Sequence, residues 1–243
     1  MVARIYLDQS FAAGDVITLP PGPSRHVQVL RLQPGDALTL FTGRGGEWAA
    51  RVVRMGRSAV EVEVGAHDPV DRELPLQVTL ALGMPANERM DGLIEKATEL
   101  GVAAIQPLLC ERSVLRLSGE RAQKKVEHWR GVAVAASEQS GRTRVPRIAE
   151  VESLSTWLRG SALPHTRFML SLRGGVPWAP DAAGPSALFL SGPEGGLTEA
   201  EEAAGRAAGF APVSLGPRVL RADTAPLAVL AALALAVGST HGP

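Results

Sequence analysis

The chain has 243 residues, of which 45% are hydrophobic, so it can bury one large core or two smaller ones. Its 25 basic and 25 acidic residues balance, which gives the whole chain no general attraction for polyanions. The single cysteine, Cys110, excludes an internal disulfide and multi-cysteine metal sites, and the five scattered histidines lack metal-ligand spacing, so no metal is expected.

The first 72 residues predict a small β-rich domain. Strict alternation of Val and Glu in residues 58–65 indicates a strand with one buried face, and Ala37–Phe41 and residues 48–53 are further strands. Proline- and glycine-rich turns separate the strands, at residues 20–23, 33–36 and 42–46. No helix longer than a turn or two is expected in this part of the chain, and several short strands of this kind predict a small β-barrel.

A polar, proline-bearing segment at residues 67–75 marks a predicted domain boundary between residues 1–72 and 73–243. Beyond it, strand and helix patterns alternate. The predicted strands are residues 76–82, 102–109, 167–172, 186–191 and 213–215. The predicted helices are residues 88–100 with Asn87 as cap, residues 120–140, a helix opened by Thr198, and residues 225–237. This alternation predicts a largely parallel sheet with helices on both faces.

The turn Gly192-Pro193-Glu194-Gly195-Gly196 connects an apolar strand to a helix whose first turn has a capping box, Thr198 with Glu201. Glycine in such a turn lets the backbone approach a ligand, and turns of this kind lie at the carboxyl ends of parallel strands. The turn has neither the lysine of a phosphate-binding P-loop nor dinucleotide-binding spacing, and Glu194 would repel phosphate. An uncharged or cationic ligand therefore fits better, and a tight turn without a ligand explains the pattern equally well.

Two arginines, Arg218 and Arg221, lie between a strand that Gly216-Pro217 ends and the helix of residues 225–237. A cation at a helix N-terminus is unfavourable, because the positive end of the helix dipole prefers anions. An anion recruited by Arg221 would offset that cost, which indicates a binding role. The alternative is that Arg221 only forms an ion pair with Asp223.

The helix of residues 225–237 is apolar on all sides, which indicates burial within its own domain or against a second subunit. Its 13 residues are too few to cross a bilayer. The first residues of the chain show no signal-peptide pattern. A cytoplasmic protein with no membrane segment is therefore expected.

Glu138, Gln139 and Arg142 lie where the helix of residues 120–140 ends and a basic loop begins. An ordinary helix C-terminus capped by Gly141 is sufficient to explain this spacing. Residues 112–147 also carry an excess of Lys and Arg, which either attracts phosphate or forms a solvated face. On spacing and charge alone, the structural explanation is favoured.

Taken in order over nearly the whole chain, these motifs resemble the RsmE family, the 16S rRNA (uracil-N3)-methyltransferases of the SPOUT superfamily. The matching segments are residues 25–26, 29–36, 88–101, 111–114, 137–142, 192–196 and 215–221. Each segment alone is a weak signal, whereas the ordered set is specific. Asp223 departs from the family pattern, which more often has Glu at that position.

The resemblance implies an N-terminal PUA-like β-barrel for RNA binding at residues 1–72. It implies a C-terminal SPOUT methyltransferase domain at residues 73–243, of α/β class, with a parallel sheet and a trefoil knot. A homodimer and the cofactor S-adenosyl-L-methionine are also implied. The cofactor-binding residues carried over are Leu172, Gly192, Gly196, Leu215, Gly216 and Leu220. The substrate is 16S rRNA or the small ribosomal subunit, and the RNA-binding candidates are Arg25, Arg31, Arg112 and Arg142.

The implied reaction methylates N3 of a uridine, and the N3 proton must leave before the nitrogen attacks the methyl group. Arg221 is the candidate for stabilising charge on the uracil oxygen, and Glu138 or Asp223 is the candidate proton acceptor. Two other functions stay open, a non-catalytic RNA-binding module and an enzyme that acts on a nucleotide phosphate. The intact glycine turns argue against the first, and the missing lysine argues against the second.

Overall fold

A computed structural model of the chain describes residues 2–57, 59–86, 88–160 and 163–238. The chain divides into two compact units, residues 1–73 with 134–145, and residues 74–133 with 146–243. Asn87, the predicted cap of a helix, and Ser58, the predicted start of a strand, lie outside the described residues. Among the described helices, none combines the length and the apolar character that crossing a membrane requires.

The first unit is built on a mixed sheet of five strands in the order β1-β3-β4-β5-β2. The strands are β1 (Ala3–Tyr6), β2 (Val16–Thr18), β3 (Ala37–Phe41), β4 (Glu47–Met55) and β5 (Val60–Asp68). Only the β1–β3 pair is parallel among these described strands. The alternating side chains Val60, Val62 and Val64 are buried in the core of this unit, as the Val/Glu pattern predicts.

The first unit also contains helix α1 (Pro21–Val29), so the prediction of no helix beyond a turn or two in this region is wrong. Prolines in the first turn of a helix cost nothing, because the first backbone N–H groups have no partner in the helix. Ser24, which is buried, donates its hydroxyl hydrogen to the carbonyl of Leu19 at 2.8 Å, and Val27 is buried in the core. The proline run therefore begins a helix here and does not form a turn between strands.

Helix α3 (Gly119–Ser140) passes from the second unit into the first, because residues 134–145 belong to the first unit. The backbone N–H of Tyr6 in β1 donates to Glu138 Oε1 at 2.9 Å. Arg4 donates to the carbonyl of Arg142 at 3.0 Å, and the backbone N–H of Gly45 donates to the carbonyl of Thr143 at 3.1 Å. The end of α3 and the loop after it are thus hydrogen-bonded to the first strands of the chain.

The second unit has an eight-stranded sheet in the order β11-β13-β10-β12-β6-β7-β8, with β9 paired beside β7. Its strands are β6 (Gln77–Gly83), β7 (Ala104–Leu109), β8 (Arg147–Ile148), β9 (Glu152–Ser153), β10 (Arg167–Leu170), β11 (Val176–Pro177), β12 (Ser186–Ser191) and β13 (Ala211–Ser214). Every pairing between these described strands is parallel. The predicted parallel sheet is therefore confirmed.

The helices of the second unit alternate with its strands. They are α2 (Glu88–Glu99), the first part of α3, α4 (Leu154–Gly160), α5 (Glu199–Ala207) and α6 (Thr224–Gly238), with a 3₁₀ turn at Pro180–Ala183. The predicted capping box of α5 is confirmed, because Thr198 accepts from the Glu201 N–H at 3.2 Å while Glu201 accepts from the Thr198 N–H at 2.9 Å. This cap fixes the first turn of α5, which begins just after the glycine turn.

Candidate active site

A cleft of about 500 Å³ lies in the second unit, at the carboxyl ends of the three neighbouring strands β10, β12 and β13. The loops that follow these strands form most of its wall. All six predicted cofactor-binding residues line it: Leu172, Gly192, Gly196, Leu215, Gly216 and Leu220. In a parallel sheet the carboxyl ends of adjacent strands lie at one edge, which is where α/β proteins bind ligands. The structure thus brings these six residues together, and their role as ligands of a cofactor stays a prediction.

The glycines of the β12–α5 turn are required by the turn itself. A Cβ atom on Gly192 would come within 2.7 Å of the backbone nitrogen of Leu197. Gly196 has a φ of +68°, in the left-handed region that side chains disfavour, and its N–H donates to the carbonyl of Pro193 at 2.8 Å. For Gly192, the predicted reason was the approach of a ligand to the backbone. The structure gives a different reason, the close packing of the turn against itself.

Glu194 anchors this turn to the connection between β6 and α2. Its Oε1 accepts from the Ala86 N–H at 2.9 Å and lies 3.6 Å from the guanidinium of Arg89. The sequence interpretation used Glu194 to favour a cationic ligand. Because the carboxylate is already engaged by a backbone donor and an arginine, that argument does not hold.

Among the described residues, three buried polar side chains of the cleft wall were not predicted from the sequence: Ser171, Ser191 and Glu202. Ser191, at the end of β12, is 4% exposed, and its hydroxyl has no hydrogen-bond partner within the described part of the chain. Glu202 in α5 is 7% exposed and accepts from the Ser171 hydroxyl at 3.2 Å and from Arg206 at 3.0 Å. A serine ending an apolar strand is a weak sequence signal for Ser191, and Glu202 has none, because its partner Ser171 is distant in sequence.

Arginines surround the cleft: Arg89, Arg112, Arg173, Arg218 and Arg221. Arg112 donates to the carbonyl of Gly195 at 2.9 Å, and Arg173 is 3.1 Å from Glu199. Among the described residues, no carboxylate oxygen lies within 4.0 Å of the guanidinium of Arg218 or Arg221. The cleft therefore presents two exposed cations that no acidic residue of the described chain neutralises, a suitable surface for a polyanion.

Arg221 is placed by the start of α6. Its carbonyl accepts from the N–H groups of Thr224 and Ala225, each at 3.0 Å, which fixes the backbone that carries the exposed guanidinium. The alternative drawn from sequence, an ion pair with Asp223, is not observed between these two described residues. Asp223 is half-buried outside the cleft wall, and its Oδ1 is buried with no hydrogen-bond partner among the described residues.

Glu138, the other candidate proton acceptor, lies in the first unit. Besides the bond from Tyr6, its Oε2 is 3.4 Å from Nδ1 of His26. Burial raises the pKa of Glu138, and the Tyr6 N–H, His26 and Arg4 oppose that rise only in part. A carboxyl with a raised pKa takes up a proton more readily than an exposed one, which keeps Glu138 a chemically reasonable acceptor.

The four predicted RNA-binding arginines have different surroundings. Arg25 and Arg31 are exposed in the first unit, and Arg112 is exposed at the cleft in the second. Arg142 is only 5% exposed, and Glu73 holds its guanidinium, with Nε 3.0 Å from Glu73 Oε2. A buried guanidinium held by a carboxylate is not accessible to phosphate, so we leave Arg142 out of the RNA-binding proposal.

The sequence profile of an RNA methyltransferase domain matches residues 72–234, and that of an RNA methyltransferase PUA domain matches residues 24–65. The ribosomal RNA small subunit methyltransferase E of Synechocystis sp. is 36% identical over 222 residues, 88% of this chain and 71% of that protein. The chain belongs to the ribosomal RNA small subunit methyltransferase E family. The predicted membership of the RsmE family is thereby confirmed, and with it the assignment as an RNA methyltransferase.

Two solved structures share this fold over almost the full chain. The ribosomal RNA small subunit methyltransferase E of Neisseria gonorrhoeae, bound to S-adenosyl methionine, has 36% identity and a TM-score of 0.90, with coverage of 97% of this chain and 98% of that one. A putative methyltransferase of Legionella pneumophila, in complex with SAM, has 34% identity and a TM-score of 0.92 with the same coverage. The fold class, a PUA-like N-terminal part and an α/β methyltransferase domain, is confirmed. The trefoil knot stays a prediction.

Proposed function

We propose that this protein transfers a methyl group from S-adenosyl-L-methionine to N3 of a uridine in 16S ribosomal RNA. The observation that carries the proposal is the cleft at the ends of β10, β12 and β13, where the six predicted cofactor residues meet. Two relatives that match 97% of this chain hold S-adenosylmethionine in their solved structures, which supports its assignment here.

The residues of the cleft suit the proposed cofactor. A volume of about 500 Å³ is in the range of small-molecule sites. The buried hydroxyl of Ser191 lacks a partner among the described residues and is available to a polar atom of a ligand. Gly216 has a φ of +109°, and a Cβ at this position would meet no described atom within 4 Å, so this side of the wall is open. When bound, the cofactor supplies an electrophilic methyl group on its sulfonium.

Arg221 has the central role in the proposed reaction. Removing the N3 proton of uracil places negative charge on the ring, and a guanidinium held beside a uracil oxygen stabilises that charge most as the transition state forms. The fixed backbone of Arg221 and its lack of an acidic partner among the described residues fit this role. Asp223, two residues away but outside the cleft wall, has an Oδ1 with no partner among the described residues and is a candidate proton acceptor, as is Glu138 of the first unit.

RNA binding is proposed to involve both parts of the chain. Residues 1–72 are assigned to RNA binding and residues 73–243 to methyl transfer. Exposed Arg25 and Arg31 contact phosphates in the first part, and Arg112 does so at the rim of the cleft. The target uridine unstacks from its neighbouring bases to enter the cleft, because a base inside folded RNA cannot otherwise reach an enzyme's active site.

We also propose that the protein is cytoplasmic, because the proposed substrate is made where ribosomes are assembled, and that it is a homodimer. Large apolar side chains are exposed in the second unit of the single chain, with Leu172, Val219 and Leu235 all more than 70% exposed. A second copy of the chain would cover such surface. Analytical ultracentrifugation at micromolar concentration is expected to show a species of twice 25.5 kDa, and a single species of 25.5 kDa would contradict the dimer.

The test of the function is methyl transfer from labelled S-adenosylmethionine to isolated 16S rRNA and to small ribosomal subunits. Nucleoside mass spectrometry of the product should identify N3-methyluridine. A different methylated nucleoside would overturn the assigned atom, and no transfer to either substrate would overturn the assigned reaction. Isothermal titration with S-adenosylmethionine and with ATP separates the alternatives: neither ligand binds a non-catalytic RNA module, and ATP alone binds a nucleotide-phosphate enzyme.

A further inference from the structure

We propose that an open cavity of about 690 Å³ in the first unit binds an unpaired nucleobase of the RNA, other than the methylated uridine. The cavity is lined by the start of β1, by α1 and the residues after it, and by the end of α3. All of these residues belong to the first unit, whereas the six cofactor residues belong to the second. The inference rests on the proposed RNA substrate and assigns a second recognition site for it.

The walls of the cavity combine apolar faces with a polar edge. Val2 and Leu30 are 53% and 44% exposed at the cavity, and Leu32 is half-buried. His26 and Glu138 form the polar edge. A nucleobase needs this combination, because its two faces are apolar and its edge carries hydrogen-bond donors and acceptors.

The polar edge has unused hydrogen-bonding capacity. Within the described residues each oxygen of Glu138 has one polar neighbour, the Tyr6 N–H for Oε1 and His26 for Oε2, and a carboxylate oxygen accepts two hydrogen bonds. The side-chain amide of Gln139 is exposed and has no partner among the described residues. Glu138 can therefore accept from an N–H of the base while Gln139 donates to, or accepts from, the same edge.

The charges favour a base inside the cavity and phosphates outside it. Glu138 and Asp36 both line the cavity and would repel a phosphate group. The side chain of Arg4, which also lines the cavity, is only 9% exposed, and its guanidinium is paired with Glu47. Exposed Arg25 lies next to His26 in α1, and exposed Arg31 follows Leu30 directly, so both can meet the sugar–phosphate backbone. In this arrangement Glu138 recognises RNA, which leaves Asp223 as the proposed proton acceptor.

The decisive variant is Ala135→Trp, because Ala135 is exposed and lines the cavity, so an indole there obstructs part of the space for a base without replacing any hydrogen bond. Loss of one held base should raise the dissociation constant for 16S rRNA about tenfold. Cofactor affinity and the single-turnover rate at saturating RNA should stay at wild-type values. The matched control is Ala13→Trp, an exposed alanine of the same unit outside the cavity, for which wild-type RNA affinity is expected.

A second variant, Gln139→Ala, removes the amide that lacks a partner among the described residues, and it should weaken RNA binding by a smaller factor. Its control is Gln9→Ala, at an exposed position outside the cavity. The inference is overturned if both Ala135→Trp and Gln139→Ala bind RNA with wild-type affinity while their thermal melting is unchanged. It is also overturned if the variants change only the sedimentation coefficient of the protein, because the cavity would then belong to a protein contact. If the wild-type protein binds rRNA without methylating it and the cavity variants still weaken binding, the proposed reaction fails and the nucleobase site stands.

Discussion

Ser191 ends strand β12 with a buried hydroxyl that lacks a hydrogen-bond partner among the described residues. An unsatisfied buried polar group of this kind costs about 1–3 kcal/mol, so a ligand atom that bonds to it gains affinity. We expect Ser191→Ala to leave the free energy of unfolding unchanged or slightly higher. Its affinity for S-adenosylmethionine should fall about five- to tenfold, from the loss of one hydrogen bond of about 1 kcal/mol.

Isothermal titration and urea denaturation of the Ser191→Ala protein measure these two effects separately. Ser186→Ala, at the other end of the same strand, is the control and should bind the cofactor normally. A Ser191→Ala protein that binds the cofactor as tightly as wild type would remove this hydroxyl from the site. Lower stability without lower affinity would assign it a purely structural role.

Arg221 is the second residue with a specific expected role. If its guanidinium stabilises charge on the uracil only in the transition state, Arg221→Ala should lower the single-turnover rate on the order of a hundredfold. Cofactor affinity should change little. Arg121→Ala, at an exposed position in α3 of the second unit, is the matched control. Near-normal methyl transfer by Arg221→Ala at saturating RNA and cofactor would exclude Arg221 as a catalytic residue.

Among the helices, α5 depends on its capping box, in which Thr198 and Glu201 satisfy each other's backbone N–H groups. Thr198→Ala should lower the free energy of unfolding by about 1 kcal/mol, the usual cost of losing such a cap. Because the cap begins where the glycine turn ends, cofactor affinity should fall as well. Thr198→Ser keeps the hydroxyl, so its free energy of unfolding in urea and its cofactor affinity by titration should both be close to those of the wild type. Equal stability of the alanine and serine variants would contradict this account.

The elements that could be predicted from sequence are those with strong local patterns. Strands β3 and β12 have the predicted bounds, Ala37–Phe41 and residues 186–191, because each is an apolar run between turn residues. Helix α1 was missed because prolines also begin helices, and β1 was missed because its four residues carry too little periodicity. The parallel partner of β1 is β3, more than thirty residues later, which no local pattern indicates.

The same limit of local patterns applies to the site. The wall of the cleft was predicted through the resemblance to the RsmE family, because a tight turn without a ligand explains the glycine pattern alone equally well. The burial of Arg142 could not be predicted because its partner, Glu73, is 69 residues away. A charged side chain looks the same in sequence whether it meets solvent or a buried carboxylate. Only the fold distinguishes the two environments.

For the molecule as a whole, a cluster around Glu47 makes stability depend on pH. Arg72 and Arg4 both donate to Glu47, and they also bind the carbonyls of Gly141 and Arg142. The hydrogen bond from Arg72 is the main reason that the pKa of Glu47 is lowered to about 2. Burial of the carboxylate opposes this effect, and Arg4 adds to it. A carboxylate whose pKa is lowered in the folded state stabilises the fold at pH values above its unfolded-state pKa, near 4.5. This stabilisation is lost as the pH falls toward 2.

Glu47→Gln should therefore lower the melting temperature at pH 7, by an amount corresponding to about 1 kcal/mol after allowance for screening. The difference from wild type should shrink as the pH falls from 5 toward 2. Thermal melts at a series of pH values provide the measurement. Glu61→Gln, which breaks a more exposed pair with Arg54, is the control and should show a smaller difference. A difference that stays constant with pH would contradict the role of Glu47.

The first unit is assembled from two pieces of chain, residues 1–73 and residues 134–145, with residues 74–133 between them. Ribosomes add roughly 5–20 residues per second, so the second piece is synthesised about 3–12 s after the first. During that interval the Tyr6 N–H has no Glu138 to accept from it, and Glu73 has no Arg142. The first unit is therefore completed only after a large part of the second unit has been synthesised. A translational pause before residue 134 would prolong the exposure of the incomplete first unit to chaperones and proteases.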